Sequence, residues 1–270
     1  MRALLVSSLL SVLTLFPNSG HAGPVTRQIQ ASDSEKIQPA DSNYQTYRGY
    51  VYDLSENAGR QDSVAMADGL RRQLDIVESV GLSPLVLTFF HKVPIVANEM
   101  SCLEKQAAAA CYGASAPKRA QGSRGFTVWD SQKAQWTNPD AIALAEDTGI
   151  GIVMIRPSMM RYAQDPVMLH EFLHAYHARL LPSGFRNEGV LGHYNYAKSK
   201  QLYPADTYAL TNEREFFAVT ASIFLYGKDS AHEPFTRANL QEKQPDYYKY
   251  LVGLFGVDPD RAGTPVASAN

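Results

Sequence analysis

His170, Glu171 and His174 form the pattern H-E-x-x-H, a spacing that can bind and use a metal ion. Residues four positions apart lie on one face of an α-helix, so both imidazoles can reach the same ion. Neutral imidazole nitrogen is a preferred ligand of zinc. Glu171 follows the first histidine, where it can take a proton from water without being a ligand itself. The pattern therefore predicts a zinc site with two histidine ligands and Glu171 as general base.

A third protein ligand is needed, because zinc sites that keep a position for water have three. The extended pattern H-E-x-x-H-x-x-G-x-x-H is excluded, since His177 and Leu180 occupy its glycine and final histidine positions. His177 lies about 10 Å along the helix axis from His170, so one ion is not easily shared between them. We expect His177 in a cleft wall or beside a ligand. The remaining source is a carboxylate on the next helix, from Glu213 or Glu215.

Glu215 is the better of these two candidates by position. It shares a helical stripe with Ala218, Val219 and Ile223, which we expect to face the histidine-bearing helix. Glu213 lies at the opening of its helix, where a carboxylate interacts favourably with exposed amides.

In the metal-free alternative the two histidines are ordinary helix residues, but their placement on a capped, apolar helix favours the metal.

Together with the H-E-F-x-H pattern, the run that begins at Tyr208, Y-x-x-T-N-E-x-E-F-F-A, closely resembles the catalytic domain of anthrax toxin lethal factor and its relatives. These are zinc peptidases of the gluzincin type, and the resemblance covers residues 170–226. It implies a zincin-like fold, Glu215 as the third zinc ligand, and Tyr208 as a catalytic hydrogen-bond donor near the metal. One departure is Val219, where the family often has an acidic residue that would orient a ligand. Competing tyrosines in the same region are Tyr194, Tyr196 and Tyr203.

Hydrophobic spacing predicts the elements that position these residues. We expect the metal-binding helix over 166–181 with Asp165 as its N-cap, a loop of about 25 residues, and a second helix over 212–226. Strands that precede helices indicate an α+β fold. The resemblance implies that a small mixed sheet packs on the H-E-x-x-H helix and the glutamate-bearing helix. Other elements are predicted as a helix at 63–80, strands at 85–90, 126–129 and 150–155, and a helix near 246–255. By resemblance, the 150–155 strand could be the sheet edge that pairs with an extended substrate.

The N-terminal segment has the features of a secretory signal peptide. A positive start precedes an apolar run over residues 3–16, and small residues precede an expected cleavage after Ala22. That run is short for a membrane anchor, which needs about 20 residues. We therefore expect a secreted or periplasmic protein with no membrane insertion after cleavage. The expected organisation is a signal peptide at 1–22, a flexible N-terminus at 23–43, a single catalytic domain at 44–258 and a polar tail at 259–270.

The cysteines indicate a disulfide, and the net charge limits the classes of molecule that could be partners. Cys102 and Cys111 are the only cysteines, and in an oxidising compartment such a pair indicates a disulfide that staples a loop. The formal charge of −2 comes without a basic stripe, which argues against a nucleic-acid partner. A peptide or protein is the expected substrate.

The sequence favours an exported zinc-dependent endopeptidase. A non-catalytic zincin-fold binding protein and a zinc amidase that acts on cell-wall peptide stay open as alternatives. Glu171 favours an enzyme, because a pure binder would not need a general base beside the metal.

Overall fold

The computed structural model describes residues 44–54, 57–93, 95–97, 99, 102, 108–113, 128–130, 135–137 and 151–261. These residues all belong to one compact unit, which spans 37–270. The predicted signal peptide, the predicted flexible N-terminus and residues 262–270 of the predicted tail lie outside the described residues. Among the described residues, no helix is long and apolar enough to cross a membrane.

The chain is a mixture of helices and short strands, which confirms the α+β prediction. The first part contains β1 (Tyr44–Tyr47), β2 (Tyr50–Asp53), α1 (Ser63–Ser79), α2 (Pro84–Phe90), β3 (Ile95–Ala97), β4 (Ala110–Gly113), β5 (Val128–Asp130), β6 (Gln135–Thr137) and β7 (Ile152–Ile155). The second part contains α3 (Pro157–Met160), α4 (Val167–Arg179), α5 (Glu188–Ser199), α6 (Glu213–Tyr226), α7 (Arg237–Lys243) and α8 (Pro245–Phe255), with 3-10 turns at Gly184–Arg186 and Tyr208–Leu210.

The sheet beside the candidate site has the strand order β3-β7-β4. β3 runs parallel to β7 and β4 runs antiparallel to it, with Cys111 opposite Met154. Because β7 is paired on both sides and fully buried, the expectation that it forms the substrate-binding edge is wrong. In the described part of the chain, β3 and β4 are the edge strands of this sheet, and β4 lies against α4.

The predicted strand at 85–90 is a helix instead. Ser83 accepts a hydrogen bond from the Val86 amide, and Pro84 occupies the first helical turn. Val86 and Phe90, four residues apart, are buried, whereas Leu85, which directly precedes Val86, is exposed. The β-branched and aromatic residues suggested a strand, but tertiary burial follows the period of a helix.

The predicted 25-residue loop is also largely helical. Asn187 caps α5 by accepting a hydrogen bond from the Val190 amide at 3.0 Å. Val190, Tyr194 and Ala197 then face the core at a spacing of four and three residues. Two glycines and several tyrosines lower the intrinsic helix propensity of this segment and conceal that pattern.

Helix α4 is held between the sheet and the other helices. Phe172 stacks on Phe90 and Tyr50, with ring centroids 5.1 and 5.3 Å apart. On another side α4 packs against α6, where Tyr176 and Phe217 stack. This packing fixes the helix that carries the H-E-x-x-H residues.

The predicted disulfide is present. Cys102 and Cys111 are bonded and both are buried. Since Cys111 lies in β4, the disulfide attaches the neighbouring segment to the strand beside α4. The predicted pairing of the two cysteines is therefore confirmed. The disulfide lies closer to the core than the predicted surface loop.

Candidate metal centre

Helix α4 begins at Val167, and its start differs in detail from the prediction. Asp165 does not cap the helix, since the cap position is Pro166 and the Met168 amide donates to the Oε1 atom of Gln73 at 3.2 Å. The Asp165 carboxylate accepts hydrogen bonds from the Ser230 amide at 2.7 Å and from its hydroxyl at 2.6 Å. The carboxylate that was predicted to cap the helix therefore binds a loop that is distant in the sequence.

Helix α6 supplies the third side chain of the site, and its first turn is capped by Asn212. The Asn212 Oδ1 atom accepts hydrogen bonds from the amides of Arg214 at 2.9 Å and Glu215 at 3.0 Å. A cap of this kind satisfies amides that lack a partner within the helix. The backbone of Glu215 is thus fixed where its side chain turns towards α4.

Three side-chain atoms converge between α4 and α6. The Nε2 atoms of His170 and His174 are 3.1 Å apart, and each lies 3.2 Å from Glu215 Oε2. Ligand atoms placed about 2.0–2.1 Å from a tetrahedral ion would be about 3.3–3.4 Å apart. The triangle is close to one face of such a tetrahedron, so this group could hold a metal ion.

Burial gives the group an open side and a closed side. The side chain of His170 is 14% exposed, against 5% for His174 and 7% for Glu215. A small molecule would therefore approach on the side of His170.

The protonation states of the group also suit a metal ion. Burial lowers the pKa of His174 and outweighs its hydrogen bond with Glu215. Burial alone would raise the pKa of Glu215, but hydrogen bonds from His170 and His174 outweigh it and lower that pKa. Neutral imidazole and ionised carboxylate are the forms that bind metals.

Glu171 is buried beside the ligand group, and its Oε2 atom has no hydrogen-bond partner among the described residues. A buried acceptor without a partner is costly, and native structures keep one where a water, an ion or a function uses it. This unsatisfied oxygen and the convergence of three donor atoms both fit a bound metal with water beside it.

Tyr208 is the predicted tyrosine that the structure brings to the site. Its ring centroid is 6.4 Å from that of His170. Burial raises the pKa of Tyr208, and the interaction of its hydroxyl with the carboxylate of Glu215 raises that pKa further, so the phenol keeps its proton near neutral pH. Tyr194 and Tyr203 are buried elsewhere, where they donate to Leu210 and Gln244.

Two other candidates lie outside the group. Glu213 pairs with Arg214 at the opening of α6. His177 is fully buried between Phe185 and Phe217, and neither ring nitrogen has a partner among the described residues. The expected place of His177 in a cleft wall is therefore wrong, because α4 is covered by aromatic side chains at this turn.

Sequence reasoning missed one neighbour of the site. His232 lies with its ring centroid 5.0 Å from that of Tyr208. Its Nδ1 atom is 2.9 Å from Oδ2 of Asp229. The only sequence signal is an acidic residue three positions before a histidine, which is too common to single out.

Comparison of the chain with models of known protein families, with curated proteins and with solved structures gave no match.

Proposed function

We propose that the chain is an exported zinc-dependent endopeptidase with a zincin-like fold of the lethal factor type. The observation that carries the proposal is the convergence of His170, His174 and Glu215, beside a Glu171 oxygen that has no hydrogen-bond partner in the part of the chain that the structure describes. Nitrogen and oxygen donors at these separations suit tetrahedral zinc. The disulfide supports export, because disulfides persist in oxidising compartments.

Each side chain then has a distinct task. His170, His174 and Glu215 would hold the ion and leave one position open. Zinc, when bound, lowers the pKa of water towards about 7 and polarises the carbonyl of a substrate. Glu171 would take the proton from water through its free oxygen and pass it to the leaving amine.

Tyr208 would stabilise the developing oxyanion. It is protonated near neutral pH and its hydroxyl already lies at the ligand group. Donors aimed at the charge that develops during the reaction lower the barrier because they need no reorganisation. When the carbonyl oxygen enters, the hydroxyl would turn from the carboxylate of Glu215 and donate a hydrogen bond to the substrate.

The edge strand β4 offers a binding site for an extended peptide. It lies against α4, and its Tyr112 ring stacks 6.4 Å from the ring of His174. An extended segment can add to a sheet edge by backbone hydrogen bonds. This arrangement supports cleavage of peptide bonds in the interior of a substrate chain. The substrate-binding edge that was expected at β7 is here proposed at β4.

The first test measures metal content in the chain that begins at Gly23, by elemental mass spectrometry. We expect about one zinc per chain, lost in Glu215→Ala and retained in Glu213→Ala. The second variant is the matched control, because it removes a carboxylate of the same helix turn that pairs with Arg214. Equal zinc in both variants would contradict the assigned ligand.

The second test measures hydrolysis of a peptide library. Glu171→Gln should keep the zinc and lower kcat by at least about 10²-fold, whereas His174→Ala should lose both zinc and hydrolysis. Unchanged hydrolysis by Glu171→Gln would refute the mechanism. Zinc without cleavage of any peptide would favour a binding protein, or a cell-wall amidase if peptidoglycan fragments were cleaved.

A further inference from the structure

The loop at residues 228–236, which we call the His232 loop, is fixed to the start of the metal-binding helix. A backbone bridge between Lys228 and Thr236 closes the loop. Ser230 donates from its amide and its hydroxyl to both oxygens of Asp165, two residues before α4 begins. The loop therefore keeps a constant position relative to the helix of His170.

Asp229 organises the inside of this loop. Its Oδ1 atom accepts hydrogen bonds from the amides of Ala231 at 2.8 Å and His232 at 3.0 Å. Its Oδ2 atom bonds Nδ1 of the His232 ring at 2.9 Å. These bonds outweigh burial and lower the pKa of Asp229, so the carboxylate stays ionised. Because the backbone of the turn is already satisfied by Oδ1, the second oxygen serves the imidazole alone.

The His232 ring packs against Tyr208, which in turn faces His170. The Tyr208 centroid is 5.0 Å from that of His232 and 6.4 Å from that of His170. Tyr208 lies in a short 3-10 turn and is 37% exposed, so the rest of the molecule covers it only in part. The imidazole of His232 contributes to this cover by packing against the Tyr208 ring.

We propose that Asp229 and His232 form a positioning device that holds the Tyr208 ring at the metal group. The inference rests on the proposed function for its kinetic consequence only. The buried carboxylate of Asp229 fixes the imidazole of His232, and this imidazole fixes the phenol of Tyr208. The phenol then donates its hydrogen bond from a single position. A tyrosine left free to swing away loses the preorganisation on which such donors depend.

The kinetic test is a double-mutant cycle on a cleaved peptide. We expect His232→Ala to lower kcat about tenfold, with zinc retained and KM changed less than about twofold. In the Tyr208→Phe background the same change should have almost no effect, because the hydroxyl that it positions is absent. An equal loss in both backgrounds, or a loss through KM alone, would overturn the proposal.

The second test does not depend on turnover, so it separates this proposal from the proposed function. In a chain labelled with ¹³C-tyrosine, the Tyr208 signal is the one missing from Tyr208→Phe. We expect its ring order parameter to fall in His232→Ala and in His232→Phe, which keeps an aromatic ring but loses the bond to Asp229. His193→Ala is the matched control, because His193 packs on Tyr247 and Tyr250. Unchanged Tyr208 order in His232→Ala would refute the proposal even if peptides are cleaved.

Discussion

Two histidines of α4, His174 and His177, have opposite surroundings, because different side chains pack against successive turns of the helix. His174 finds a carboxylate from α6 at 3.2 Å, whereas His177 finds two phenylalanine rings. The type and spacing of the residues, together with the resemblance, predicted the first case. They could not predict the second, because covering aromatic residues come from other segments.

His177 is expected to reduce stability in acid. Burial lowers its pKa from 6.5 to about 3, while in the unfolded chain the pKa stays near 6.5. Between these values the unfolded chain binds the extra proton, so stability is lost as the pH falls below about 6.5. By pH 5 the loss from this residue should be about 2 kcal/mol. Denaturant unfolding of wild type and His177→Leu at pH 7 and pH 5, at equal metal loading, measures it.

The variant should be at least as stable as wild type at pH 7, because leucine fits a similar volume and removes two unpaired nitrogens. Equal losses between pH 7 and pH 5 in both proteins would contradict the assignment.

Tyr208→Phe tests the donor itself. The ring and its contacts with His170 and His232 are kept, and only the hydroxyl at Glu215 is lost. We expect kcat to fall about 10²-fold with KM little changed, since the bond to the substrate strengthens only in the transition state. Steady-state kinetics on a cleaved peptide gives both constants, with Tyr196→Phe as a control on an exposed tyrosine. A rise in KM with kcat unchanged would instead assign Tyr208 to substrate binding.

At the scale of elements, long periodic helices were predictable and context-dependent ones were not. The helices at 63–79 and 213–226 follow their apolar spacing, and the second also begins at its Asn212 cap. The helix at 84–90 was predicted as a strand, because a short apolar run has no period that separates the two. The edge role of β7 was an expectation from the resemblance. The sequence could not correct it, because the order of strands in a sheet depends on pairings between distant segments.

The cap of α6 should affect metal binding as well as stability. Asn212→Ala removes the acceptor for the amide of Glu215 itself. We expect a loss of about 1 kcal/mol in stability and about tenfold weaker zinc binding, because the ligand would be less firmly oriented. Asn187→Ala is the matched control, since Asn187 caps α5 and lies outside the ligand group. Denaturant unfolding and competition with a zinc chelator measure the two effects, and weakened zinc binding in both variants would exclude a specific role of the α6 cap.

At the scale of the whole molecule, the site depends on segments that are far apart in sequence. The residues that could hold a metal ion come from α4 and α6, the candidate substrate edge comes from β4, and the His232 loop is hydrogen bonded to Asp165. Local patterns and a resemblance predicted that His170, His174 and Glu215 would converge and that Tyr208 would lie beside them. It could not predict the loop contact, because no periodicity relates residue 165 to residue 230.

The disulfide should stabilise this assembly by restricting the unfolded chain. Cys102 and Cys111 close a short loop and attach it to β4, and both are buried. Loop-closure entropy gives an expected contribution of about 2.5–3 kcal/mol. Denaturant unfolding of wild type with and without reductant, beside Cys102→Ala/Cys111→Ala, measures it. Reductant should lower the stability of wild type to near that of the double variant and leave the double variant unchanged. If reduced and oxidised wild type unfolded at the same denaturant concentration, the disulfide would have no stabilising role, and the position of β4 beside α4 would depend on sheet pairing alone.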